Sequence, residues 1–157
     1  MILPKSLALA YSAAALLLPV TAQGQPDKNC VKTDQVQIAA LFDDWNTALK
    51  SGNATTVAAL YSSDAVLLPT LSDRVRTDDE GRIAYFNDFL KKKPEGSIDS
   101  RTLYIGCNMA IDTGLYTFQF ENHPAAKARY TFTYAFLDDK WLITSHHSSL
   151  VPHVVSH

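Results

Sequence analysis

The chain has 157 residues, 46% hydrophobic and 19% charged, which gives room for one domain and is too apolar for a disordered segment. Six glycines and seven prolines are too few for a low-complexity or collagen-like chain. Fourteen basic against sixteen acidic residues leave a net charge of −2, so neither nucleic acid nor an anionic membrane surface is an expected partner.

Residues 1–22 read as a secretory signal peptide. Lys5 is the only charge before Asp27, an apolar run covers Leu7 to Val20, and Thr21-Ala22 suits a cut after Ala22. The run is short of the roughly 20 residues that span a bilayer, so the expected product is periplasmic or secreted and leaves the membrane on cleavage. Residues 23–32 read as a flexible polar segment, 33–152 as the folded domain and 153–157 as a tail. Cys30 and Cys107 are read as a disulfide if the chain is exported, with two buried thiols as the alternative. Neither cysteine belongs to a Cys-x-x-Cys pair, so no metal site is expected.

Thr33 is the expected cap of a first helix, in which Ile38, Leu41, Phe42, Trp45 and Leu49 repeat at helical spacing. A short second helix follows through Thr56, Val57, Leu60 and Tyr61, then an edge strand over residues 65–70. Thr77 and Glu80 are spaced as a capping box for a helix that buries Ile83, Phe86 and Leu90, with Lys91, Lys92 and Lys93 at its end. The lysines read either as partners of the helix dipole or as a phosphate site. From Ser97 the period falls from 3.6 to 2, giving strands over 98–106, 115–122, 127–137 and 141–150. Their alternation puts Tyr116, Phe118, Phe120, Tyr130, Phe132, Tyr134 and Phe136 on one face, which the upstream helices must cover. The expected fold is therefore α+β, a curved antiparallel sheet packed on N-terminal helices, with a cavity between the long helix and the concave face.

The segments LFDDWNTALKSGN and VAALYSSDAVLLPT resemble the opening of a nuclear transport factor 2-like (SnoaL-like) domain with the cone-shaped, cystatin-like fold. KWLITSHHSSLVP and IGCNMAIDTGLYTFQF resemble strands of the calcium/calmodulin-dependent protein kinase II association domain, in its stand-alone bacterial form. That resemblance implies a homodimer or larger ring joined through the sheet, and no cofactor. It also implies a pocket lined by arginines, but Tyr116, Phe132 and Ser148 stand at the matching positions here.

Tyr116, Tyr134, His146 and Ser148 remain as candidate ligand contacts, with Arg101 and Arg129 as carboxylate partners; the alternatives are core aromatics with satisfied hydroxyls and surface ion pairs. His146 and His147 are strand neighbours that point to opposite faces, so they cannot chelate one metal together. Arg82 is a further isolated cation, while Asp99 and Asp112 fall near strand ends, where turn or solvent roles are expected. Two main functions stay open, beside a periplasmic adaptor that would use the polar sheet face for a different protein. One is an exported, non-catalytic oligomerisation or ligand-binding domain for a small apolar or carboxylate ligand. The other is a cofactor-independent isomerase, cyclase or hydratase using Tyr116 and His146 as donor and base.

Overall fold

The computed structural model describes residues 30–70 and 72–152. The signal-peptide segment 1–22 and the tail 153–157 lie outside the described residues. The order is α1 (Gln35–Lys50), α2 (Ala54–Ala58), β1 (Tyr61–Leu68), α3 (Asp79–Phe89), a 3-10 turn (Leu90–Lys92), β2 (Glu95–Gly106), β3 (Met109–Phe120), β4 (His123–Leu137) and β5 (Lys140–Leu150).

Both long helices start one residue later than the threonines suggest. Asp34 caps α1: its carboxylate accepts from Gln37 N at 2.8 Å, and Gln37 Oε1 accepts from Asp34 N at 3.2 Å. Asp78 caps α3 by accepting from Gly81 N at 2.7 Å. In each Thr-Asp pair the carboxylate, the stronger acceptor, takes the cap. The lysine run is largely paired: Lys91 bonds Asp88 at 2.7 Å and Lys93 bonds Glu121 at 2.7 Å.

Strand order is β1-β5-β4-β3-β2. β2 to β5 form the expected antiparallel meander, but β1 pairs β5 in parallel, so the sheet is mixed rather than wholly antiparallel. β3 begins six residues before the expected Leu115, because Gly106 pairs directly with Met109 across a two-residue turn. Asn108, Asn122 and Asp139 each take positive φ in such turns, where short polar side chains tolerate the left-handed region. The register shifts between Ile98 and Ser100 in β2; there a Cβ on Gly114 would lie 2.0 Å from Ser100 O, so glycine is required for the close approach.

α1 crosses the inner face and presses Phe42 and Trp45 onto it. Trp45 meets Phe132 at 5.3 Å and Phe118 at 6.1 Å between ring centroids, and Phe42 meets Phe132 at 6.3 Å. Burying a ring such as Phe42 is worth roughly 1.5–3 kcal/mol before entropy. The helix is also fastened by polar contacts, since Asn46 donates to Gly96 O and accepts from Gly96 N, both at 2.9 Å.

β1 pairs regularly with β5 only from Val66 onward, and Arg82 serves the irregular stretch before it. Its fully buried guanidinium donates to Ala65 O at 2.6 Å and to Ser62 O and Ser63 O at 3.0 Å, with Asp79 Oδ1 at 2.6 Å. Arg82 is thus an internal strut between α3 and the edge strand. It answers three carbonyls, each of which would cost about 1–3 kcal/mol if buried unpaired.

Cys30 and Cys107 form a disulfide across 77 residues, and Val31 N donates to Asn108 Oδ1 at 2.7 Å beside it. The pair staples the chain before α1 to the β2–β3 turn. Removing it by Cys30→Ser/Cys107→Ser should lower unfolding free energy by about 4 kcal/mol, measured by urea denaturation under oxidising conditions. A loss below about 1 kcal/mol would mean that the unfolded chain gains no freedom from losing the crosslink.

Candidate functional site

α1 covers the inner face only in part. β4 carries Ala126 and Ala128 in place of large rings, and a cavity of about 950 Å³ opens between the sheet, α3 and the loop after β1, with Trp45 as its lining residue from α1. Phe86, Phe89, Phe118 and Phe120 supply apolar wall. Trp45, Thr70, Tyr116, His146 and Ser148 supply the polar floor. The charged lining residues are Arg74, Arg76, Asp78, Glu80, Asp88 and Lys92, three of each sign and none of them fully buried.

A chain of hydrogen bonds runs through the floor. Trp45 Nε1 donates to the Tyr61 hydroxyl oxygen at 3.1 Å, and an indole N–H can only donate. His146 Nδ1, 3.0 Å away, is the other partner of the Tyr61 hydroxyl and the acceptor within reach of its hydrogen. This assigns the imidazole as neutral with its proton on Nε2, which faces the Tyr116 hydroxyl at a long 3.5 Å. Tyr116 donates to Ser148 Oγ at 2.6 Å, and Ser148 pairs with the Thr70 hydroxyl.

His146 is only 4% exposed and stacks on Phe132 with centroids 4.0 Å apart. Burial first, and the neighbouring His147 second, push its pKa from 6.5 down to about 3. Burial likewise raises Tyr116 and Tyr61 well above the usual phenol range. Every group on the floor is neutral near pH 7.

The other sequence candidates fall elsewhere. Ser148 and Tyr116 meet His146, as expected of a shared face. Tyr134 is buried beside Phe132 and lies outside the cavity lining. Arg129 pairs with Leu115 and Ser149 on the exposed outer face, away from any cavity ligand. Arg101 is held over Phe42 and bonded to Asp112, its Nε 3.2 Å from Oδ1 and 3.1 Å from Oδ2. Asp112 is fully buried and accepts from Tyr130 Oη at 2.7 Å, which corrects the expected turn or solvent role. It sits mid-strand opposite Phe132 because β3 starts so early. Burial raises its carboxyl above the usual range against the pull of Tyr130 and Arg101. His147 faces outward from His146, and among the described residues no cluster of three His, Cys, Asp or Glu side chains could hold a metal.

Trp45 and Thr70 belong to the floor, and Tyr61 supports it from behind through Trp45 and His146; none of the three is among the sequence candidates. Tyr61 reads as the end of a helix, yet it shares parity with Ala65 and Leu67, and that alternation was the available signal. Thr70 gives no sequence signal, because the turn beyond β1 alone brings it to Ser148.

Residues 34–152 match the family model of the calcium/calmodulin dependent protein kinase II association domain. The chain belongs to that family. A solved protein of Xanthomonas campestris, described as a candidate association domain of this kinase, is 46% identical to it, with 78% of this chain and 91% of that one covered at a TM-score of 0.75. An NTF2-like protein of Pseudomonas putida (14% identity, 76% and 88% covered, TM-score 0.67) shares the fold. So does a candidate dehydratase of the NTF2-like family from Streptomyces avermitilis (12% identity, 76% and 98% covered, TM-score 0.67). No curated protein matches the sequence. This association domain therefore has the α+β fold of the NTF2-like and cystatin-like proteins.

A histidine held neutral only by folding makes stability depend on pH. The unfolded imidazole gains its proton near pH 6.5 and the folded one near 3, so the His146 contribution is intact above about pH 6.5 and is lost as pH falls through that window. Between pH 7.5 and 5 the loss should be about 2 kcal/mol. His146→Gln should remove that share of the slope in urea unfolding; an unchanged slope would mean that His146 protonates freely in the native state.

Proposed function

We propose that this association domain is an exported, self-associating protein that binds a small, largely apolar molecule in the cavity beneath its sheet. The carrying observation is the 950 Å³ space, apolar on its walls and polar at its floor, which is the usual construction of a small-molecule site. Binding is favoured over proton-transfer catalysis by the state of the floor. A general base works best with a pKa near the working pH, and His146 near 3 is far too weak. The carboxylate of Asp112 is engaged by Arg101 and Tyr130.

Family membership supports self-association, and so does the sheet's outer face. Tyr104 and Ile111 are cross-strand partners there, with Met109 beside them, at 62%, 36% and 57% exposure. A contiguous apolar patch on an otherwise threonine-rich face suits a second copy of the chain. Export is supported by the apolar N-terminal run and by the Cys30–Cys107 bond, which persists in an oxidising compartment.

The isomerase, cyclase or hydratase reading keeps one observation in its favour, the 3.5 Å approach of Tyr116 and His146 in an open cavity. It would require His146 to act as a hydrogen-bond donor rather than as a base.

Nile red, a neutral apolar dye, should bind saturably and gain fluorescence. Ala128→Met, which fills the space beside Tyr116, should abolish this, and absence of binding by the unmodified protein would defeat the cavity reading. Tyr104→Glu/Ile111→Glu should reduce the mass measured by light scattering to that of a monomer while leaving dye binding intact. A mass unaffected by those charges would remove the outer face as the interface.

A further inference from the structure

We infer that the cavity selects a ligand with a neutral hydrogen-bond acceptor, a ketone or amide carbonyl oxygen on an apolar body, and discriminates against a carboxylate. This rests on the small-molecule reading above and specifies the chemistry of its ligand.

The direction of the hydrogen bonds carries the inference. Trp45 Nε1 can only donate, and His146 Nδ1 is the acceptor within reach of the Tyr61 hydroxyl hydrogen; with that bond made, the neutral imidazole carries its own hydrogen on Nε2. At 3.5 Å from Tyr116 Oη that hydrogen is barely engaged. At the other end Tyr116 gives its hydrogen to Ser148 at 2.6 Å. Ser148 and Thr70 share one further bond, and whichever of them donates, one hydroxyl hydrogen remains over. His146, Ser148 and Thr70 all line the cavity. The floor thus offers two spare donors. An acceptor oxygen settling between them would complete the network at both ends.

Charge decides against the anion. No cation stands on the floor: Arg74 and Arg76 line the cavity from the loop after β1, where Arg76 donates to Ser72 Oγ, and Lys92 lines it from the turn after α3. Arg101, the inward-facing cation of the neighbouring row, is already bonded to Asp112 and lies outside the lining. A carboxylate would shed its hydration for neutral donors alone, a desolvation that costs several kcal/mol per ion even after relaxation. A carbonyl makes the same two hydrogen bonds without that cost.

Three naphthalenes of nearly equal size test this by calorimetry near pH 7: 2-acetylnaphthalene, 2-naphthoate and 2-ethylnaphthalene. The ketone should bind about tenfold or more tightly than either of the others, as expected for one or two neutral hydrogen bonds formed without burying a charge. Thr70→Val/Tyr116→Phe/Ser148→Ala, which removes every hydroxyl of the floor, should cut ketone affinity at least about fivefold without lowering that of 2-ethylnaphthalene. Should that variant fail to fold, the comparison of the three ligands on the unmodified protein still decides. Equal binding of ketone and hydrocarbon overturns the donor inference while the cavity reading stands. Naphthoate binding as tightly as the ketone overturns it too. Failure of all three to bind overturns both.

Discussion

The Trp45 indole sits where hydrophobic packing and polar order meet. Its ring packs edge-on against Phe132, Phe118, Phe86 and His146, and its single N–H fixes the Tyr61 hydroxyl. The packing holds α1 on the sheet. The hydrogen bond sets the orientation of Tyr61, which in turn sets the tautomer of His146. A residue chosen for size alone could do the first task; only a ring with a donor and no acceptor does both. The character of the cavity floor is therefore a consequence of how the helix docks.

Two buried polar systems divide the inner face between them. The row Leu103, Asp112, Phe132, His146 runs across four strands, and the next row carries Arg101, Gly114, Tyr130 and Ser148. Toward β2 the charges are closed on themselves as Arg101, Asp112 and Tyr130. Toward β5 the groups are uncharged and open to the cavity. Gly114 lets β2 approach closely where Arg101 must lie over the sheet, so a missing side chain positions the ion pair. Arg82 does for the edge strand what pairing with β5 does elsewhere, by supplying donors to carbonyls that the irregular register leaves over.

Much of this was legible in the sequence because it is periodic. The aromatic alternation of β3 and β4 specified the inner face, and the i, i+3, i+4, i+7 pattern from Ile38 to Trp45 specified the helix that covers it. The meeting of Tyr116, His146 and Ser148 followed from the same alternation. What was not legible depends on register. The early start of β3 moved Asp112 from an expected turn to the core, and the parallel addition of β1 brought Tyr61 beside His146 and Thr70 beside Ser148. Parity along a strand says which face a residue takes; it does not say which residue of another strand lies opposite. Arg82 and Arg129 illustrate the same gap, since two isolated arginines of similar appearance became an internal strut and a surface side chain.

The empty volume itself owes little to the network at its floor. It borders β4 where Ala126 and Ala128 carry only methyl groups at the parity that gives Tyr130, Phe132 and Tyr134 further along the strand. Capacity and scaffold are thereby uncoupled. Two small positions on a strand already secured on both sides set how bulky a guest is admitted, whereas the rings under α1 set whether the protein stands at all. A lineage could retune the guest it accepts by exchanging methyl groups at those two sites, leaving the architecture and its polar anchor as they are.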